Sequence, residues 1–184
     1  TILASGRSVE CTWVVFCSDS VRQNEARRSA QFFLEKASKC EIHVEQFRDG
    51  FLPYVGGAVK DRFEEIKKTI NPDFIFTHYG YDKHQDHRLI SELTYNTFRD
   101  HLILEYEIPK YDGDMGRPNL YVNIDREHCQ TKIDALVKYF QSQKSKNWFK
   151  EDLFLALLRL RGMECNSPST YAEAFYGRKN TLIF

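Results

Sequence analysis

Two histidines and an aspartate stand close together near the middle of the chain, in His84-Gln85-Asp86-His87. If a helix begins here, His84 and His87 lie three residues apart and can face one cavity. Neutral imidazole is the commonest metal ligand, and Asp86 could orient a histidine or bind metal itself. A bound divalent metal would lower the pKa of a water molecule, and the second histidine could stabilise an oxyanion. The segment therefore predicts a metal site that activates water.

The same residues allow two other interpretations. In the first, Asp86 caps the helix and the histidines are solvated, so that the loop carries no chemistry. In the second, His84 and Asp86 join a distant His101 or His128 as the two-histidine, one-carboxylate set of non-haem iron oxygenases. Those enzymes typically stand on all-β folds, and the order of elements in this chain contradicts that.

The elements around the segment alternate between strand and helix patterns, which is typical of βαβ units and a mainly parallel sheet. Strands are predicted at residues 10–17, 42–47, 74–77, 102–106 and 120–123. Helices are predicted at residues 20–39, where Ser20 opens a capping box, and at 55–70, 87–99, 125–141 and 151–160. The tail from residue 171 to 184 is mixed.

This alternation predicts an α/β fold. We expect a three-layer α/β sandwich with a Rossmann-like, mostly parallel sheet, in a single domain that spans residues 1–184. Ligands of such sheets bind beyond the carboxyl ends of the strands. The loops at those ends are 18–20, 48–50 and 78–86, so the histidine segment lies where a site is expected.

The composition excludes several other classes of protein. The 26 basic residues balance the 26 acidic ones, so the basic excess of a nucleic-acid-binding protein is lacking. No apolar run approaches the ~18–20 residues of a membrane span. The five cysteines are odd in number and include no C-x-x-C pair, which predicts neither disulfides nor a cysteine zinc site but reduced thiols in the cytoplasm. No G-x-G-x-x-G follows a strand, which argues against a Rossmann nucleotide binder.

Four segments together resemble the LmbE-like, or PIG-L, de-N-acetylases, the family of N-acetylglucosaminyl-phosphatidylinositol deacetylase. Phe74-Ile75-Phe76-Thr77-His78, followed by His84-Gln85-Asp86-His87-Arg88, resembles the second signature of the family. The other three segments resemble its R-x-x-E helix, its aspartate-glycine loop and its closing A-E-x-F segment: Arg22 to Ala30, Arg48-Asp49-Gly50 and Tyr171 to Phe175. The resemblance spans most of the chain.

The resemblance implies a zinc-dependent enzyme that hydrolyses the N-acetyl group of an N-acetylglucosamine-type amino sugar or conjugate. By the family's pattern, His87 is the metal ligand and His84 steadies the tetrahedral transition state. Asp86 supports the histidines, Asp49 contacts sugar hydroxyls, and Arg22 is a weaker candidate for a substrate contact. The expected partner is the sugar substrate, with neither nucleic acid nor a membrane span, and bacterial relatives often assemble into oligomers.

One signature of the family is absent. His-Pro-Asp-Asp-Glu, which in the family supplies two of three zinc ligands and the general base, does not occur, and Thr1 to Gly6 reads like the last turn of a helix closed by glycine. We therefore expect this chain to lack its first strand and first motif. With His87 as the one remaining ligand, the chain by itself is predicted to be inactive. It is also predicted to expose two sheet edges.

Natural loss of that motif is the alternative. It would make the protein a catalytically inactive sugar-binding or assembly module on the same fold.

Overall fold

A computed structural model describes residues 2–180, except for the side chain of Ala4. The strands in this part are β1 (Glu10–Cys17), β2 (Lys39–Phe47), β3 (Phe74–His78), β4 (Leu102–Tyr106), β5 (Leu120–Ile124) and β6 (Tyr171–Tyr176). The α-helices are α1 (Ser20–Phe33), α2 (Gly56–Lys67), α3 (Gln85–Thr97), α4 (Arg126–Tyr139) and α5 (Glu151–Glu164). The predicted α/β class is confirmed.

The contacts within the chain define two compact units. Unit 1 runs as far as Arg48 and resumes at Asn123–Ala172, whereas unit 2 comprises Asp49–Val122 and the segment from Glu173 onward. None of the helices in residues 2–180 has the length and apolar character that a membrane crossing requires. No disulfide joins any of the five cysteines.

Unit 1 contains a two-stranded parallel sheet. β1 has the bounds that the sequence predicts, and it pairs with β2 from Glu10↔Lys39 to Val15↔Val44 before the register shifts. Only Phe16 of β1 is buried. The expectation of a buried strand is therefore wrong for most of β1, because it has a neighbouring strand on one side only in the described part of the chain.

The start and end of α1 differ from the prediction. The capping residue is Asp19 and not Ser20, because the Asp19 side chain accepts a hydrogen bond of 2.8 Å from the backbone N–H of Arg22. The helix ends at Phe33, six residues early, because the chain must turn before β2 begins at Lys39.

The helical turn closed by Gly6 that the sequence predicts is present, as a 3-10 turn over Leu3–Ser5. Gly6 has a φ of +74°, which closes the turn in the left-handed region. Thr1 lies outside the described residues.

The helices of unit 1 pack around two apolar clusters. α4 lies against both α1 and α5. One cluster joins Ile124, Cys129 and Leu158 with Tyr171. The other contains Ile133, Phe149 and Phe154, with Leu136, Phe140 and Trp148 packed on it. Both tryptophans of the protein, Trp13 on β1 and Trp148, lie in unit 1.

Unit 2 is organised around β3 and β4, which pair in parallel from Phe74↔Leu102 to His78↔Tyr106. The sheet order is β3-β4-β6-β5. β6 falls in the tail that the sequence left without an assignment, and it is antiparallel to β4 at Glu105↔Tyr176, so the sheet is only partly parallel. Residues 181–184 of that tail lie outside the described residues. α3 packs on β3 and on α2.

The strand β3 forms one edge of this sheet. Phe74 and Phe76 remain 37% and 44% exposed, although both are large and apolar, and their rings touch at 5.4 Å. In the described part of the chain, β1 pairs with β2 alone and β3 pairs with β4 alone, so each of these two strands has one unpaired edge.

Candidate active site

The histidine segment lies between the carboxyl end of β3 and the first turn of α3. β3 ends at His78, and α3 begins at Gln85 with His84 as its capping residue, in an extended conformation at φ −72° and ψ 122°. The sequence placed this helix start two residues later. His84 and His87 nevertheless lie at the start of a helix that follows a strand, as predicted.

Asp86 connects this helix start to the aspartate-glycine loop. Its two carboxylate oxygens accept hydrogen bonds from the backbone N–H groups of Gly50, at 2.6 Å, and Leu52, at 3.1 Å. The side-chain amide of Gln85 donates to the carbonyl of Gly50 at 3.1 Å. Gly50 has a φ of +80°, which favours glycine. The first turn of α3 therefore fixes the backbone beside Asp49, and Asp86 is not the capping residue of the helix.

Three histidine rings form a stack in unit 2. The ring of His87 lies 4.1 Å from that of His78, almost parallel to it, and 4.5 Å from that of His84. The Nδ1 atoms of His78 and His84 are buried and have no hydrogen-bond partner. Burial, with His87 as the next cause, lowers the pKa of His78 from 6.5 to about 3, so His78 contributes a neutral ring.

The buried carboxylate of Asp82 contacts His87, the central histidine of the stack. Oδ2 of Asp82 lies 2.8 Å from Nδ1 of His87, and Oδ1 accepts a hydrogen bond of 2.7 Å from the backbone N–H of His84. Burial alone would raise the pKa of Asp82. The hydrogen bonds from His87, the His84 backbone and Lys110 outweigh burial and hold that pKa well below its usual range.

The pairing with Asp82 leaves Nε2 of His87 as the nitrogen that a metal would bind. Histidines that bind metals usually donate their other ring nitrogen to a carboxylate or carbonyl, and Nδ1 of His87 faces a carboxylate here. Sequence reasoning assigned no role to Asp82. The alternation Asp82-x-His84-x-Asp86-His87 is the signal that could have drawn attention to it.

The residues of unit 2 fit one ligand of a zinc site. Within the described part of this unit, no three ligating atoms of histidine, cysteine, aspartate or glutamate come close enough together to hold a metal. A catalytic zinc normally takes three protein ligands. To such a metal, unit 2 would thus supply one oriented imidazole, that of His87, and not a complete coordination sphere.

The other predicted site residues divide between the two units. Asp49 is exposed at the start of unit 2, next to the glycine that Asp86 holds. Arg22 belongs to unit 1, on the first turn of α1, where its guanidinium lies 4.0 Å from the capping carboxylate of Asp19. The roles of both residues as substrate contacts stay predictions.

Solved structures of the same fold include both deacetylases and an enzyme of another kind. The conserved protein TT1542 from Thermus thermophilus is similar with a TM-score of 0.69 and 18% identity, over 98% of this chain and 86% of that one. The 4-carboxy-2-hydroxymuconate hydratase GalB from Pseudomonas putida KT2440 is similar with a TM-score of 0.68 and 14% identity, over 98% of this chain and 88% of that one.

N,N'-diacetylchitobiose deacetylase from Pyrococcus horikoshii is similar with a TM-score of 0.64 and 20% identity, over 95% of this chain and 74% of that one. Similarity at this level of identity establishes the shared fold. No curated protein sequence matches the chain.

The family is established by a sequence profile. The profile of PIG-L, described as GlcNAc-PI de-N-acetylase, matches residues 7–98, which is half of the chain. The matched range contains the aspartate-glycine loop and the complete histidine segment. The chain belongs to the PIG-L family, as the resemblance of its motifs predicts.

Proposed function

We propose that this protein is a metal-dependent hydrolase that removes the N-acetyl group from an N-acetylglucosamine-type amino sugar or its conjugate. The observation that carries the proposal is the contact of 2.8 Å between Nδ1 of His87 and the buried carboxylate of Asp82. It presents the other nitrogen of a PIG-L histidine in the manner of a metal ligand. Zinc is the metal that we expect.

The residues of unit 2 take separate roles in this proposal. His87 contributes one ligand through Nε2, and bound zinc would lower the pKa of a water molecule and polarise the acetyl carbonyl. His84 faces the same stack, and it would stabilise the oxyanion that forms on that carbonyl. Asp86 positions the Asp49 loop through the N–H groups of Gly50 and Leu52. The carboxylate of Asp49 would then accept hydrogen bonds from sugar hydroxyls.

The remaining zinc ligands and the general base must come from outside this set of residues. For that reason we propose that the 184-residue chain is inactive by itself. A second candidate function is a catalytically inactive sugar-binding or assembly module, which the incomplete set of ligands in unit 2 favours. The shared fold does not choose between these functions, since GalB shows that a hydratase also uses it.

The deciding measurement is the metal content per chain, made by plasma mass spectrometry on the product of the complete gene. We expect about one zinc per chain, its loss in His87→Ala, and its retention in His43→Ala. His43 is a suitable control because it lies on β2 of unit 1, 3.7 Å from Glu41. Acetate release from N-acetylglucosamine conjugates is then assayed on the same three proteins.

Two results would contradict the proposal. A well-folded product without metal would favour the inactive module. Zinc that remains bound in His87→Ala would show that His87 is not a ligand. For the chain alone, tight zinc binding together with acetate release would contradict the prediction that it is inactive.

A further inference from the structure

Lys110 is a buried cation next to the histidine stack. It belongs to the loop between β4 and β5, and its side chain is 8% exposed. Its Nζ lies 3.1 Å from Oδ1 of Asp82 and 3.7 Å from Oδ2 of Asp112, and it forms an ion pair with Asp114. A buried ammonium group is stable only when it is paired in this way.

The position of Lys110 determines which oxygen of Asp82 remains for His87. Oδ1 of Asp82 receives both the ammonium of Lys110 and the backbone N–H of His84, so Oδ2 is the oxygen left to face Nδ1 of His87. A carboxylate held on one side by two donors cannot rotate without losing both of them. Because an ionised carboxylate only accepts hydrogen bonds, Nδ1 of His87 must carry the proton.

The loop that carries Lys110 is itself tied to the histidine segment. The carboxylate of Asp114 accepts a hydrogen bond of 2.6 Å from the backbone N–H of Lys83. Asp114 thus holds the Lys110 ammonium and the loop before α3 at the same time. The ammonium of Lys110 is therefore surrounded by three carboxylates and is not exposed on the surface.

We propose that Lys110 is a positioning residue that acts through Asp82 to fix the tautomer and the ring orientation of His87. Lys110 lies outside the four segments that resemble the family, and its ammonium contacts the carboxylate of Asp82 and not His87 itself. The consequence for metal binding rests on the proposed function of His87. The expected effect of Lys110 on the tautomer of His87 does not rest on that function, so either expectation can be contradicted while the other stands.

The test compares four proteins by nuclear magnetic resonance of their ¹⁵N-labelled imidazoles: wild type, Lys110→Met, Lys110→Arg and Lys83→Met. The spectra are recorded with a chelator at mildly alkaline pH, and His87→Gln assigns the signals of His87. We expect His87 to be protonated at Nδ1 in the wild type, in Lys110→Arg and in Lys83→Met. In Lys110→Met we expect a mixture of tautomers. Lys83 is the matched control because it is exposed and only its backbone takes part in the network.

Circular dichroism establishes that each variant is folded, and Lys110→Gln replaces Lys110→Met if the latter is not. An unchanged tautomer in the folded, uncharged variant would overturn the proposal, whatever the activity. The second readout is zinc affinity, measured by competition with a chromogenic chelator on the product of the complete gene. We expect a loss of about 10- to 100-fold in the uncharged variant and recovery in Lys110→Arg. Equal zinc affinities beside a changed tautomer would support the positioning role of Lys110 and contradict the proposed role of His87 as a zinc ligand.

Discussion

Replacing Gly162 by alanine should destabilise unit 1, because the last turn of α5 touches the backbone that leads into β6. A Cβ atom at Gly162 would lie 2.5 Å from the carbonyl carbon of Thr170 and 2.7 Å from the Cα of Tyr171, and closer still to the carbonyl oxygen of Thr170. Ordinary contacts of a Cβ begin at 3.4 Å. The neighbours would therefore have to move substantially to make room for the methyl group.

The backbone at Thr170 is poorly able to move. Its carbonyl oxygen accepts a hydrogen bond of 3.1 Å from Arg159, and its N–H donates to the carbonyl of Ser167 at 3.0 Å. The N–H of Ser167 in turn donates to the carbonyl of Gly162 at 2.8 Å. Thr170 also has a φ of +69°, which is costly for a β-branched residue and leaves little freedom to relax.

Two opposing terms set the size of the effect. Overpacking a well-filled site typically costs about 1–3 kcal/mol, and contact with backbone on two residues favours the upper end. Alanine gains about 1 kcal/mol over glycine inside a helix. We therefore expect Gly162→Ala to lose about 2 kcal/mol of unfolding free energy. Gly57→Ala on α2 is the matched control, since a Cβ there meets nothing within 4 Å, and we expect it to gain about 0.5 kcal/mol.

The assay is urea unfolding followed by far-ultraviolet circular dichroism. If the slopes of the transitions are equal, differences between their midpoints report differences in stability. Gly162→Ala should unfold at a lower urea concentration than the wild type, and Gly57→Ala at the same or a higher one. The reasoning is refuted if Gly162→Ala is as stable as Gly57→Ala, because the packing at Thr170 would then be looser than the distances indicate.

Two further predictions concern buried carboxylates. Burial raises the pKa of Asp114, but the hydrogen bonds from Lys110 and the Lys83 backbone outweigh it and lower that pKa below 3.8. The contribution of Asp114 to the free energy of unfolding is therefore present above about pH 4, and it is lost as the pH falls through the pKa that Asp114 has in the folded protein. Asp114→Asn should be less stable than the wild type at about pH 5, and the difference between their free energies of unfolding should shrink between about pH 5 and pH 3. Acid unfolding at fixed urea measures this difference. A difference that does not change with pH would exclude a stabilising role of the ionised Asp114 carboxylate. Ser142→Ala removes a hydrogen bond of 2.6 Å to buried Glu25 in unit 1 and should cost about 1.5 kcal/mol in thermal unfolding. No loss would show that water replaces the hydroxyl.

Local patterns were enough to predict most elements. The β-branched and aromatic run at residues 10–17 gave β1 with its observed bounds, and Asp125 was correctly predicted as the cap of α4. α1 was predicted too long because its helical pattern continues through Leu34 and Ala37, whereas the turn into β2 depends on tertiary pairing. β6 was missed for the same reason, since its partner β4 lies far away in the sequence.

The candidate site was predictable where it depends on contiguous residues. The spacing of His84 and His87 placed both on one helix start, and the motif resemblance identified the family. The hydrogen bonds between Asp86 and the loop at Gly50 join two separate motifs, and no spacing rule indicates them. Lys110 gave no signal at all, because an isolated lysine in a polar loop is usually solvated, and only the folded loop brings its ammonium beside Asp82.

The location of the tryptophans makes intrinsic fluorescence a reporter of one half of the molecule. Trp13 and Trp148 both belong to unit 1, whereas most of the ten tyrosines belong to unit 2. Selectively excited tryptophan emission therefore follows the melting of unit 1 alone, while circular dichroism averages over the helices of both units. Coincident transitions by the two signals would mean that the units unfold as one cooperative block, and separated transitions would mean that each has its own melting point.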